Sequence, residues 1–449
     1  MGSKIEDVSF ISDFESKYQK GMEISYDLNG SNRTGEFNLK MGSVSILLFD
    51  VDIQSFLLVK QFRPAVFTSI VSKKKENYGK DFNDIKWSDY DTDIGYTMEL
   101  CAGLIDKDGL TPEQIACEEI AEECGYKVDV TKLVPISTFV VGAHQSGNAQ
   151  YMYYAEIGKD MKISEGGGNV HEGEVILKVY LSLDEARNII YPQDGNGFAD
   201  VKGPPGVLFA LQWWFLKHNE KSVVSKPVVQ NEPFWKPTEV KKISNIKFTT
   251  EYDKKKYGYN PKRMKFTMND ITRTWDLALT QDTSSCILID SDTRELIFFQ
   301  TLRTPVLIGR TRFLKENIGK NVDTLDFDSS DPAWAYTLEL AVNRAPDFAD
   351  PRKFGRIGVK QLGYDLKEDQ FKLIARIIPG IGQSGDVQSI FFADVKNARR
   401  CEQDEDDDYK EVRIKFDDLP LLFNQPLIGP PNVYYAIGWI IDKYCDNKQ

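Results

Sequence analysis

An α+β fold written twice along one chain is what the sequence predicts, and three observations predict it. The 449 residues exceed one ordinary core, so two or three domains are expected. Blocks of sequence recur in the same order about 240 residues apart. Within each copy, runs of β-branched and aromatic residues outnumber helical patterns, which suits a mixed sheet in an α/β/α sandwich better than a doubly wound parallel sheet.

The repeat is concrete. Tyr96-Thr-Met-Glu-Leu returns as Tyr336-Thr-Leu-Glu-Leu, and GAHQSGNAQYMYYAEI from Gly142 returns as GIGQSGDVQSIFFADV from Gly380. GPPGVLFALQWW from Gly203 returns as GPPNVYYAIGWI from Gly429, and LLVKQFRPAV pairs with LIFFQTLRTPV. Four blocks in one order indicate a duplication. The first copy is assigned to residues 1–218 and the second to 245–449. The polar stretch 219–244, with Pro227, Pro233 and Pro237, reads as a linker.

In the first copy, SVSILLFD (43–50) and SFLLVKQF (55–62) read as strands joined by a short turn, followed by a polar insertion over 72–93. YTMELCAG (96–103) reads as one further strand. LVPISTFVV, AQYMYYAEI and EVILKVYL read as three more, and PPGVLFALQWWFLKH as a closing helix with proline in its first turn.

Between them lies an acidic helix. Thr111 is its N-cap, Pro112 its first residue and Gln114 the partner in a capping box, while Gly125 ends it. Ala116, Cys117, Ile120, Ala121 and Cys124 form an apolar arc; Glu119, Glu122 and Glu123 cluster on the other side. Acidic faces are usually just solvated. Here like charges three and four residues apart repel, and no lysine or arginine of the helix interleaves them. Mg²⁺, which favours carboxylate and carbonyl oxygens, would relieve that repulsion, and the preceding CAGLID loop can add a carbonyl.

Bulk properties narrow the rest. Net charge is −12 and the pI near 5.0, which disfavours nucleic acid or an anionic membrane as partner. No apolar signal core or membrane-length run occurs, and position 6 is Glu6, which breaks a myristoylation pattern. Six cysteines without a CxxC pair suggest reduced thiols and a cytoplasmic protein. Three histidines argue against a multi-histidine zinc centre, and HEGEV at His171 is not HExxH. Gly166–Gly168 read as a flexible loop, Trp213 and Trp214 as core aromatics, and the acidic run from Glu402 as a solvated excursion.

From Gly103, the pattern G-x6-L-x7-E-E-I-x-E-E-C-G-Y resembles the Nudix box. Its loop is one residue longer than usual, Leu110 stands for the first glutamate and Glu118 for the arginine. VKQFRPAVF, ELCAGLID, GGGNVHEGEVI and GPPGVLFALQWWF extend the resemblance across the first copy, toward the UDP-sugar pyrophosphatase branch. That resemblance implies Mg²⁺ (Mn²⁺ being possible) held by Glu119, Glu122, Glu123 and the Ala102 carbonyl. It places substrate contacts at Arg63 and Gly103, with Glu123 among the catalytic residues. It also implies a loop carboxylate as base, Glu174 ahead of Glu172. Arg63 reads equally well as a surface ion pair.

Aligned on the terminal Gly-Tyr, the second copy has Ile357, Lys360 and Gln361 in place of the three glutamates, so it is expected to bind no catalytic metal. The implied activity is hydrolysis of a nucleotide sugar, UDP-glucose giving UMP and glucose 1-phosphate. Hydrolysis of ADP-ribose or another nucleoside diphosphate derivative is one alternative, and a non-catalytic nucleotide-sugar-binding scaffold is another. Related enzymes work as homodimers, so the duplication is expected to supply an intramolecular pseudo-dimer; further oligomerisation is left open.

Overall fold

The computed structural model describes residues 5–12, 14–16, 20–107, 109–168, 175–192, 198–219, 222–224, 232–251, 261–402 and 409–445. Its fold class is mixed α+β. The first sheet has seven strands. Across it run Ile176–Ser182, Ser55–Phe62, Ser43–Asp50, Asn148–Ile157 and Val134–Val141, with the strands at 43–50 and 148–157 parallel and their other neighbours antiparallel. The second sheet repeats this order with Tyr409–Lys415, Glu295–Leu302, Asp282–Asp290, Gln388–Asp394 and Lys372–Ile377.

The stretch 96–103 is two strands rather than one. Tyr96–Glu99 pairs with 55–62, and Cys101–Leu104 pairs with 43–46, so the chain crosses between neighbours at Leu100. Tyr336–Glu339 and Ala341–Ala345 make the same crossing in the second half.

The halves are interlocked. Lys20–Leu28 and Ser31–Leu39 form a hairpin whose turn, Asn29-Gly30, has φ of 48° and 83°. Lys262–Met268 and Ile271–Leu277 form another around Asn269-Asp270, with φ of 51° and 61°. Both suit two-residue turns with left-handed central residues, which match the strand twist. The strand Ile5–Ile11 adds to the second hairpin and Ile243–Thr249 to the first, so each half lends its leading strand to the other. Asn29-Gly30 is a hairpin signal in the sequence, but the exchange of strands has no local signature.

Below the sheets, the helices Pro205–Lys217 and Pro431–Ile440 pack together. Phe139 and Phe209 of the first half meet Tyr434 of the second at ring-centroid distances of 4.7 and 5.5 Å. One buried apolar cluster therefore runs through both halves, from Leu47 and Phe56 to Phe298 and Ile437. Paired backbone bonds cross the same boundary, Val140 donating to Gly429 and Ile378 to Gly203, and matching bonds within each half run from Asn38 N–H to the Gln145 carbonyl and from Ala278 N–H to that of Gln383.

The described part of 219–244 is pinned rather than loose. Gln425 exchanges two hydrogen bonds with the Trp235 backbone, and Gln300 does the same with Thr238. No described helix is long and apolar enough to cross a membrane. All six cysteines are free thiols.

Candidate active site

The acidic helix begins as its residues require. The Thr111 hydroxyl accepts from Gln114 N–H at 3.3 Å, and the Gln114 side chain accepts from Thr111 N–H at 2.8 Å, behind Pro112. Regular helix spans Pro112–Glu119, and Ile120–Cys124 widens into a π-turn before Gly125, at φ 83°, ends it. Single π-turns recur at functional sites. Ile115, Ala116, Ile120 and Cys124 are buried; Cys117 and Ala121 are only half-buried.

The helix lies against the strand Cys101–Leu104. Glu123 is buried, and its carboxylate accepts from Ala102 N–H at 3.0 Å. Glu119 lies directly over Gly103, where any Cβ would overlap its carboxylate. Gly103 is therefore a clearance for Glu119 in this structure. Two of the three expected ligands, together with the Ala102 peptide, meet at one corner, and Glu122 stands a turn of helix from Glu119. Burial, then the neighbouring Cys124 and Glu123, push the Cys101 thiol well up, leaving it a neutral packing group.

Among the described residues no group of three or more acidic, histidine or cysteine side chains is already assembled around a metal position. The donor set nonetheless fits Mg²⁺: hard carboxylate oxygens on one face beside a strand peptide.

Sequence reasoning missed a cation here. Lys107, in the loop before the helix, pairs with Glu118 at 2.6 Å, both side chains being about half exposed. The hydrogen bond to Glu118, opposed by burial and aided by the charges of Glu118, Glu119 and Glu122, raises the Lys107 pKa. The positive charge at this face comes from the loop, not from the helix.

Gly166–Gly168 also differ from the expectation of a flexible loop. Gly167 N–H donates to the Glu123 carbonyl at 2.9 Å and Gly168 N–H to that of Glu122 at 3.2 Å, closing the open end of the π-turn. Ile176 N–H returns to the Gly167 carbonyl at 2.9 Å, so the chain on both sides of the HEGE segment is anchored beside these glutamates. Glu172 and Glu174 themselves lie outside the described residues, as do residues 403–408 of the acidic run.

Arg63 caps the helix Pro64–Ser72 and is bound in a fork by Glu99, at 2.7 and 2.6 Å. Thr97 also donates to Glu99. The second half reproduces the pair: Arg303 meets Glu339 at 2.7 Å through both nitrogens. Burial alone would raise the Glu339 pKa, but Arg303, with His144 and Thr337, draws it down to about 2. The fork thus belongs to the fold of both halves.

Each fork has a neighbour from the other half. The Trp275 ring, from the second hairpin, has its centroid 6.0 Å from the Arg63 guanidinium, and its indole N–H donates to the Gly382 carbonyl at 2.6 Å. In the other direction His144, of the first half, lies beside Arg303, Glu339 and Arg344; the packing around it, then those two arginines, hold its pKa down against Glu339. Gly147 and Gly385, both at φ near 60°, press on the Pro305 and Ala65 carbonyls of the opposite half, where a side chain would clash.

The described residues of the second half carry no acid corner. Gly358 packs on Asn343, as Glu119 does on Gly103, and the helix Pro351–Gln361 is regular throughout. The π-turn in the first half accounts for the difference: Gly358, not Ile357, takes the place of Glu119. Lys360 and Gln361 are exposed. Two shallow grooves of about 270 and 310 Å³ lie away from both corners, one by Met22 and Phe248, the other by Ile5 and Trp87. Trp213 is buried, and Trp214 packs on Phe49 and Phe56 at 5.1 Å, as core aromatics do.

Curated proteins similar to this chain include two pyrophosphatases. The chain is 36% identical over 207 residues to the uridine diphosphate glucose pyrophosphatase NUDT14 of Bos taurus, covering 44% of this chain and 89% of that protein. Against the protein of the same name from Mus musculus the identity is 33%, with the same coverage. A solved structure described as an ADP compounds hydrolase overlaps 49% of this chain and 97% of its own, at 13% identity and a TM-score of 0.29. No family model matches the chain.

Proposed function

This chain belongs to the Nudix hydrolase family, and from that premise we propose that its first half hydrolyses the pyrophosphate bond of a nucleoside diphosphate sugar. UDP-glucose is the substrate proposed, giving UMP and glucose 1-phosphate. The observation that carries this reading is the corner where Glu119 and Glu123 converge on Ala102 and Gly103. The curated relatives, both named for UDP-glucose pyrophosphatase activity, support it.

Glu119, Glu122, Glu123 and the Ala102 carbonyl would hold Mg²⁺, or Mn²⁺ in its place. The ion would acidify water and neutralise charge gathering on phosphate oxygens. Glu174, with Glu172 as the alternative, would take the proton from the attacking water. Glu99 fixes the plane of the Arg63 guanidinium through Nε and Nη2, so Arg63 would meet substrate phosphate in a preset orientation. Glu99 and Ala102 are three residues apart, on the two strands that flank the crossing at Leu100.

The second half is proposed as a built-in dimer mate: a degenerate copy, separated at 219–244, that completes hairpins, core and cleft of the first. The exchanged strands and shared core support that role. Free thiols suit the cytoplasm.

The test is hydrolysis of a panel of UDP-sugars and ADP-ribose with Mg²⁺, for wild type and Glu123→Gln in parallel. Metal-dependent UMP release that collapses in the variant is the expected result. Binding of UDP-sugar without turnover by the wild type would overturn the reading and leave a sensor or scaffold.

A further inference from the structure

Around Arg303 the second half has exchanged acids for nitrogen donors. The two crossing strands run in the same register, Leu104 pairing with Ser43 in one half and Arg344 with Thr283 in the other. The exposed leucine beside the acid corner is thus an exposed arginine in the second half. In the paired loops GAHQSG and GIGQSG, the third residue is Gly382 in one and His144 in the other. It is His144 that crosses to the second half's fork.

Donors from three separate elements meet there. Arg303 caps the helix Thr304–Arg312, and its fork with Glu339 uses Nε and Nη2, leaving Nη1 to donate elsewhere. His144 arrives from the opposite half on a loop whose Ala143 packs with Val306 of that helix. Arg344 comes from the strand Ala341–Ala345, and both arginines act electrostatically on the His144 ring. His144 is exposed although side chains crowd around it, and Arg344 is exposed too. Neither side chain finds a hydrogen bond or ion pair among the described residues. Glu339 also acts on His144, but its two oxygens are already held by Arg303 and Thr337.

A phosphate needs positive charge or donors at its oxygens. In the first half a metal on Glu119, Glu122 and Glu123 would supply the charge; in the second, fixed nitrogen donors are in place without one. A carboxylate presents two oxygens in one plane. A tetrahedral phosphate presents oxygens in three directions, which suits donors arriving from three elements.

We propose that the second half holds a metal-independent phosphate site, in which Arg303, Arg344 and the first half's His144 bind the phosphoryl group of a small molecule without hydrolysing it. Such a site is independent of what the first half hydrolyses.

Calorimetric titration of the full chain with inorganic phosphate and with glucose 1-phosphate, both in EDTA, tests it. Wild type should bind one phosphate per chain, and so should a variant with Glu119, Glu122 and Glu123 all changed to glutamine. Arg344→Ala should weaken binding by about tenfold, Arg344→Lys less, and His144→Ala by about fivefold. The tighter ligand of the two tells whether a free ion or a sugar phosphate is the occupant, and acetate should not compete with either. Binding lost in the triple variant but unchanged by Arg344→Ala would put the phosphate in the first half and overturn the proposal. Equal weakening by Arg187→Ala, an exposed cation on the helix Leu183–Ile190, would overturn it as a general charge effect. So would competition by acetate, or no phosphate binding by the wild type. Arg344 is exposed, so both its variants should keep the wild-type thermal midpoint without ligand.

Discussion

Two helices in the same place in the two halves carry opposite charge. Residues 112–124 hold Glu113, Glu118, Glu119, Glu122 and Glu123 and no cation; Pro351–Gln361 holds Arg352, Lys353, Arg356 and Lys360 and no acid. Around them the frame is unchanged: the same strand order, the same crossing between neighbours, the same forked Arg–Glu pair. What the fold needs is therefore separable from what the chemistry needs. The sheet and the fork persist where the acids do not, so the fork belongs to the frame of both halves, whereas the glutamate corner is found in the first half alone among the described residues.

The sharpest way to break this comparison is to remove one charged group from each version. Glu119→Gln in the first half should lower turnover by about a thousandfold, because a bound metal contributes several kcal/mol to the transition state. Lys360→Ala in the second half should leave turnover within about twofold, since an exposed group remote from the acid corner carries little. Steady-state rates on one substrate decide between them.

Cutting the chain tests whether the second half is only ballast. Residues 1–218 alone would expose Phe139, Phe209 and the rest of the shared core, and would leave the hairpin at 20–39 without its third strand. The fragment is expected to aggregate or lose its cooperative unfolding transition. A soluble, monomeric, fully active fragment would end the pseudo-dimer account.

The buried fork of the second half should matter to stability rather than to catalysis. Glu339 falls from 4.5 to about 2 on folding, which corresponds to roughly 3 kcal/mol at neutral pH. Because the folded pKa is depressed, this contribution is present above about pH 4.5 and is lost as pH falls toward 2. Glu339→Gln should lower the urea midpoint at pH 7, and the gap to wild type should close over that acid window.

Smaller effects sharpen the picture at the acidic helix. Thr111→Ala removes the N-cap and should cost about 1 kcal/mol in thermal or urea unfolding. Lys107→Ala removes a half-exposed ion pair worth at most ~1 kcal/mol. By leaving the face more negative, it should slightly lower the Mg²⁺ concentration for half-maximal activity. A rise in that concentration would show instead that Lys107 orients the glutamates.

Much of this was legible in the residues. Thr111, Gln114 and Gly125 mark the ends of the acidic helix by local hydrogen-bonding rules, and the strands 43–50 and 55–62 announce themselves by composition. Leu100 did not announce the crossing, because both flanking pieces have strand character and only the choice of neighbour separates them. The π-turn is also silent in sequence, so alignment on the terminal Gly-Tyr pairs Glu119 with Ile357, where the structure sets Gly358 in its place. Lys107 and Trp275 reach their sites through a loop and through an exchanged hairpin, and neither contact follows from spacing along the chain. The Arg63–Glu99 fork spans adjacent strands for the same reason.

The central claim is that one half of the chain holds metal and the other only frames it, and locating Mn²⁺ tests this most directly. Mn²⁺ binding to the full chain should be lost when Glu119, Glu122 and Glu123 are all changed to glutamine, and unaltered when Lys360 and Gln361 are changed to alanine. Mn²⁺ binding that survives the triple change at wild-type affinity would contradict the account.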